Sequence, residues 1–401
     1  MKQLIFLSFA LGKTVGFAST PIGSCEASQD VNTCTAAPRT TQRVRKEVRD
    51  LSAREWQAFV DAMWTMKNIS TAAGQAKYGL AFRTHEYFVV KHAVSTLDSR
   101  GEQSHFGDWF INFHAAIALE FENSLLAISD HESGDLGGLP YWDSGHGNDV
   151  FSADLMGSAP GTGDGKTVID GAFAKWPINP NFQLSDYAQY MKTVAGATSG
   201  FTGSYTGMLR GNFPNNSLQT PYVTRYGNSS NFLFSKADYD DCTTTPACWD
   251  DWYACIDARP APEDLHTGPH VVIGGYVKHE GNGTVDHGDL EDPCTSPNDP
   301  IFFLHHTNID RNRLKWMANH KDEASVYYGY KGALNGARCY GAPWYSRDCS
   351  DGGVNLLDVM SAHFPFSSAD LGLNGDSEGL THADFICEVG PETAPYKYQD
   401  F

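Results

Sequence analysis

Two histidines stand four residues apart in LHTGPHVVIGG, at His266 and His270. A further pair, His305-His306, ends the apolar run DPIFFLHH. Imidazoles at i and i+4 share one helix face, so two of them can reach a single metal ion. A helix opening near Asp299-Pro300, with proline at a favoured first position, would bring a third donor from the His-His pair. An earlier set is led by His105 and His114, which flank FGDWFINF. Nine residues span a turn and part of a helix, or two and a half helical turns. His114 enters an apolar stretch where an unpaired imidazole would be costly. His92, in YFVVKHAV, is the expected third member. His85 lies two helical turns earlier on a similar face and competes, but His92 needs less chain to return to His105. Neutral imidazole suits copper, zinc or iron, and carboxylates are missing at ligand-like spacing, which disfavours iron and magnesium. Six imidazoles in two sets therefore predict a pair of metals. The bland alternatives are a buried structural histidine at His114 and a polar helix end in HHTNIDR; the upstream HxxxH weighs against the second. Asp310, one turn beyond His306, could orient a histidine or pair with an arginine. Phe302, one turn before His306, would share its face and pack on its ring.

Helices have to position these side chains. Ser52 and Glu55 form a capping-box pattern, and Trp56, Phe59, Val60, Met63 and Trp64 follow at helical spacing. Residues 80–97 and 104–128 give two more helical stretches, the second apolar almost all round and so expected to be central. From about 130 to 260 Gly, Pro, Asn and Asp recur, which predicts long loops with few short elements. Helical periodicity returns near 249–256, 265–272 and 300–319. The fold class expected is mainly α, a four-helix core with long loops and few short strands, in a single domain.

Composition narrows the setting. The chain has 401 residues, 41% hydrophobic and 19% charged, enough for one large core. No apolar run approaches the length of a membrane span. The N-terminus carries Lys2, an apolar stretch from Leu4 to Gly12 and the small-x-small triplet Gly16-Phe17-Ala18, which predicts a signal peptide over residues 1–18. Cleavage would remove two lysines and no acids, taking the net charge from −19 to −21. That argues against nucleic acid and anionic membranes as partners. Nine cysteines lie beyond the cleavage point, as an exported protein with disulfides would have, with Cys25–Cys34 and Cys339–Cys349 as plausible local loops. No CxxC zinc spacing occurs. Four sequons, at Asn68, Asn215, Asn228 and Asn282, fit export as a glycoprotein.

Paired three-histidine sets on helices resemble those of the tyrosinase, catechol oxidase and hemocyanin family. YFVVKH with His92, then His105-x8-His114 followed by Phe121-Glu122, is similar to its first-copper region. HTGPHVVIGG and NDPIFFLHHTNIDR are similar to the second, LPYWD at 139–143 to a segment between them, and Tyr396-Lys397-Tyr398 to the closing tyrosine motif. RKEVRDLS resembles the opening of short secreted fungal members. The resemblance implies two copper ions per chain and a secreted monomer or weak homo-oligomer. It also implies a small phenolic substrate with dioxygen. Within the His-His pair it implies His306 as the ligand, giving His92, His105 and His114 in one set and His266, His270 and His306 in the other. The chain ends three residues after the tyrosine motif, so no C-terminal shielding domain, and no latency, is expected.

Two copper ions can each give one electron to dioxygen, and a catechol that donates two leaves as an o-quinone. Hydroxylating a monophenol also needs the phenol deprotonated and aimed. Many tyrosinases have an asparagine directly after the first histidine of the second set, which with a nearby glutamate holds a water. Here that residue is Thr267, which lacks the amide's acceptor and two donors. Glu263 and Asp264 stand nearby. The expectation is therefore oxidation of o-diphenols or o-aminophenols, with full tyrosinase activity as the alternative. Gln103, two residues before His105, excludes the cysteine–histidine thioether some members form. Two other chemistries use the same imidazoles: a zinc enzyme of hydrolysis or rearrangement, and hemocyanin-like oxygen binding without turnover.

Overall fold

Ser52 opens the first helix as its sequence requires. Its hydroxyl accepts from the Glu55 N–H at 3.3 Å, and the Glu55 carboxylate accepts from the Ser52 N–H at 2.8 Å. Helix α1 (Ala53–Asn68) buries Phe59, Met63 and Met66 completely. Each such side chain contributes about 1.5–3 kcal/mol relative to exposure. The computed structural model describes residues 36–95, 104–105, 109–178, 220–231, 234–246, 249–257, 264–278, 285–292, 296–320, 359–360, 365–374 and 379–401. The expected signal peptide and the loops Cys25–Cys34 and Cys339–Cys349 lie outside them, as do Gln103 and Glu263.

After α2 (Thr71–Tyr78) come the two histidine-bearing helices of the first set, α3 (His85–Ser95) and α4 (Phe110–Glu132). Both begin later than periodicity suggests. Gly107-Asp108 is a poor helix interior, and His105 falls ahead of α4 rather than on it. Helix α4 runs past its apolar stretch into polar residues. It stops where Gly134 adopts φ 67° and its N–H reaches the Ser129 carbonyl at 2.7 Å.

Helices α5 (Lys236–Thr244) and α6 (Trp249–Asp257) are joined by a disulfide, Cys242–Cys255. The stretch expected to be helical over 265–272 is only partly so. A single α turn, α7 (Thr267–Pro269), passes into a π turn over His270–Gly274. It ends at Gly275 with φ 64°, where an added Cβ would lie 2.3 Å from the Gly227 nitrogen. The hairpin β2 (Tyr276–Lys278) and β3 (Val285–His287) follows. Helix α8 (Ile301–Asn319) matches its expected span. Its start is tied down by Asp299, held by Arg225 through two bonds of 2.7 Å.

Short helices α9 (Ser368–Leu371) and α10 (His382–Glu388) precede β4 (Tyr396–Tyr398), which pairs in parallel with β1 (Arg43–Arg45), Arg45 opposite Tyr398. The architecture is mainly helical with few short strands. Helices α3, α4 and α8 are long; the fourth histidine-bearing segment is the short α7 and its π turn, not a full helix. Helix α4 packs along both α1 and α8, and Phe121 of α4 stacks on Phe303 of α8 at 3.6 Å. That contact fixes the separation of the two helices from which His114 and the His305-His306 pair arise.

Candidate metal centre

Helix α3 delivers His92 and α4 delivers His114, with their Nε2 atoms 3.1 Å apart. The His105 ring lies 4.9 Å from that of His92 and 5.9 Å from that of His114. These three offer ligand atoms within 4.8 Å of one another and are buried. His85 is elsewhere: its Nδ1 is 3.3 Å from the Lys67 ammonium, and its ring packs against Trp176.

The second set forms where α7, its π turn and α8 meet. His266 and His270 have ring centroids 4.8 Å apart. By proximity, His305 groups with them as a third potential ligand. Its Nε2, however, donates to the His266 carbonyl at 3.0 Å. His306 puts its Nε2 3.3 Å from that of His270 and lies flat on His114 at 3.9 Å. The two sets therefore adjoin through the His114–His306 contact. Phe302 sits at the junction, 4.2 Å from His306 and 5.1 Å from His92 between ring centroids, and Phe110 stands 4.2 Å from His266. These rings line the centre with apolar surface.

Outer contacts select the tautomers. The Nδ1–H groups of His114 and His270 meet the carbonyls of Phe110 at 2.9 Å and Leu290 at 2.6 Å, and Ser296 Oγ is 2.9 Å from His270 Nδ1. His266 Nδ1 lies 2.6 Å from Asp257 Oδ1. Each contact leaves Nε2 as the lone-pair nitrogen, so the lone pairs converge. Burial first, then neighbouring imidazoles, hold His114, His266, His270, His305 and His306 well below the usual histidine range. They are neutral at neutral pH, as metal donors need to be.

A cation fits this arrangement. The facing Nε2 atoms stand 3.1 Å apart in the His92–His114 pair and 3.3 Å apart in the His270–His306 pair, so a positive ion beside each pair would meet both nitrogens. His266 Nε2 is buried with no hydrogen-bond partner, a costly state that coordination would relieve. Asp257 and Asp264 lie on the far side of His266, where burial pushes the Asp257 carboxyl up to about 7, and burial with Asp257 beside it pushes Asp264 well up. An all-imidazole donor set suits copper.

Asp310 orients no histidine. Its carboxylate accepts from Arg45 at 3.2 Å, Arg313 at 2.8 Å, Tyr396 OH at 2.6 Å and Tyr398 OH at 2.7 Å. Of the two roles its position allowed, the arginine pairing is the one formed. Thr267 stands at the start of α7, where its N–H bonds Asp264. Sequence reasoning missed Asp257, which ends α6 nine residues before His266. Its only signal, an acid closing an aromatic helix, does not distinguish it from a surface carboxylate.

A helical core that brings two buried sets of imidazoles into contact defines a candidate dinuclear metal centre. Residues 76–319 match the family model for the common central domain of tyrosinase, and the chain belongs to the tyrosinase family. Its cofactor is accordingly a pair of copper ions. The chain is 25% identical over 285 residues to a tyrosinase of Streptomyces antibioticus, covering 69% of this chain and 84% of that one. It is likewise 25% identical over 360 residues to the tyrosinase-like protein phomQ1 of Diaporthe leptostromiformis, covering 86% and 77%. A point mutant of a polyphenol oxidase from Thermothelomyces thermophila shares the fold, with a TM-score of 0.53 at 18% identity over 89% of this chain and 88% of that one.

Proposed function

We propose that this chain oxidises o-diphenols or o-aminophenols to o-quinones or quinone imines, with dioxygen as the oxidant. His92, His105 and His114 hold one copper ion; His266, His270 and His306 hold the other. His306 is preferred to His305 because its Nε2 faces that of His270, whereas His305 gives its Nε2–H to the His266 carbonyl. His306 also stacks on His114 of the first set, which puts it where the two sets meet. Once bound, the copper pair supplies the electron transfer. Two catechols and one dioxygen give two quinones and two waters.

The chain's own residues shape the outcome. Phe302 and Phe110 exclude water from the inner faces of the ligands. The observation that carries the choice of reaction is Thr267, directly after His266. Asp264 lends one oxygen, Oδ1, to cap α7, accepting from the His266 N–H at 3.1 Å and from the Thr267 N–H. Thr267 offers no amide to hold a water that could take a phenolic proton.

Turnover of a phenol and the matching catechol by the copper-loaded protein tests this. Catechol oxidation should proceed at once and phenol hydroxylation slowly or not at all. Monophenol turnover without a lag, at a rate near that of the catechol, refutes the preference and favours the full tyrosinase reaction. A protein purified with zinc and inert toward catechols refutes copper oxidation altogether. Export as a glycoprotein is part of the same proposal. The Cys242–Cys255 bridge supports it, and Asn68 and Asn228 are exposed sequon positions. No helix among the described residues is long and apolar enough to cross a membrane.

A further inference from the structure

Asp257 sits where an acid is disfavoured three times over. It closes α6, facing the negative end of the helix dipole. It is 5% exposed. A second carboxylate, Asp264, has an oxygen within 4.8 Å of it. Among the described residues its one ion-pair partner is His266. Both its oxygens are engaged: Oδ1 lies 2.6 Å from His266 Nδ1, and Oδ2 accepts from the Tyr253 hydroxyl at 3.0 Å. Its helix is fixed covalently, since Cys255, two residues earlier, is bridged to Cys242 of α5.

We propose that Asp257 is the positioning residue of the second copper site, holding His266 as its Nδ1–H tautomer so that Nε2 is the donor. His114 and His270 give their Nδ1–H groups to neutral carbonyls. His266 gives its own to a carboxylate. A carboxyl oxygen at this distance is a strong acceptor that holds the proton on Nδ1. The Tyr253 hydroxyl can donate or accept, so an amide at position 257 can still turn its oxygen to Nδ1, whereas Asp257→Ala removes the acceptor outright. Without that acceptor the proton favours Nε2, which opposes coordination there.

This inference rests on His266 being a ligand, as proposed above, and the test separates the two. Copper affinity and stoichiometry are measured by chelator competition on the full chain, with wild type, Asp257→Asn, Asp257→Ala and His266→Ala compared. The tautomer of His266 is read from imidazole 15N shifts in metal-free protein. His266→Ala should hold one copper per chain. Asp257→Ala should weaken the second copper about 10–100-fold, leave the first unchanged, and give the spin signal of a lone cupric ion at limiting copper; Asp257→Asn, which can keep an acceptor, should weaken it less. In metal-free Asp257→Ala the His266 proton should move to Nε2. Two coppers retained by His266→Ala would overturn the ligand assignment. One copper in His266→Ala, with wild-type affinities and an unchanged tautomer in Asp257→Ala, would overturn the role of Asp257 alone. Should Asp257→Ala fail to fold, Asp257→Leu, close in volume and without an acceptor, decides the matter by the same readings.

Discussion

Replacing His305 and His306 one at a time separates two adjacent imidazoles that the sequence cannot tell apart. His305 is fully buried and donates to the His266 carbonyl at 3.0 Å. His305→Ala leaves that carbonyl unsatisfied, costing about 1–3 kcal/mol. It also opens a cavity of roughly imidazole size, costing about 2 kcal/mol more. The sum, about 3–5 kcal/mol, corresponds to roughly 4–6 °C in Tm for a chain of this length, taking an unfolding entropy of about 2.1 cal/mol/K per residue. Copper should remain at two per chain, and catechol turnover should fall only a few-fold. His305→Gln, whose amide can reach the same carbonyl, should recover part of the stability. His306→Ala removes a proposed donor, so it should hold one copper and lose catechol oxidation by at least about 10³-fold, as expected when a dinuclear centre becomes mononuclear. Differential scanning calorimetry, metal analysis and oxygen uptake read all three. Copper lost from His305→Ala and retained in His306→Ala would refute the assignment and make the proximity grouping of His266, His270 and His305 the true ligand set.

Other outcomes follow from the same contacts. Arg45 is fully buried between Glu122 and Asp310 and lies 3.3 Å above the Tyr396 ring; Arg45→Met leaves Glu122 with Arg43 alone and Asp310 with Arg313 alone as cationic partners, and should cost about 3 kcal/mol in chemical denaturation. Burial alone would raise both carboxyls, but Arg43 and Arg45 outweigh it at Glu122, and Arg313 and Arg45 at Asp310, so both titrate below their ordinary values. Groups depressed in the folded state stabilise it fully above their unfolded pKa, so stability should hold down to about pH 4.5 and fall as acid protonates them. Acid unfolding followed by circular dichroism checks this, and a stability that is flat from about pH 5 to about pH 2 would contradict it. Cys242→Ser with Cys255→Ser opens a loop of 13 residues and should cost about 3 kcal/mol by chain entropy, measurable as a shift in the denaturant midpoint.

Much of the centre was legible in residue types and spacing. HxxxH, the His-His pair after DPIFFL and His105-x8-His114 carry chemistry in the primary structure, and the capping box at Ser52 and the span of α8 follow from local rules. These signals depend on neighbours in sequence, which propensity and periodicity describe. The helix starts of α3 and α4 were less legible. His92 and His85 lie on a similar face two turns apart, and only their height along α3 brings His92 level with His114 and His85 level with Lys67.

What the sequence determined by itself is two groups of histidines in a mainly helical chain, with His305 and His306 left undistinguished. Tertiary structure decided what surrounds them. Asp257 reaches His266 from the end of a helix that a disulfide ties to α5. Asp310 serves Arg45 and two tyrosines because the last strand pairs with the first. Asp264 caps α7. Each of these carboxylates looks like any other in the chain, since an acid's role depends on which buried donors the fold brings to it: near neighbours for Asp257 and Asp264, and segments far apart in sequence for Asp310.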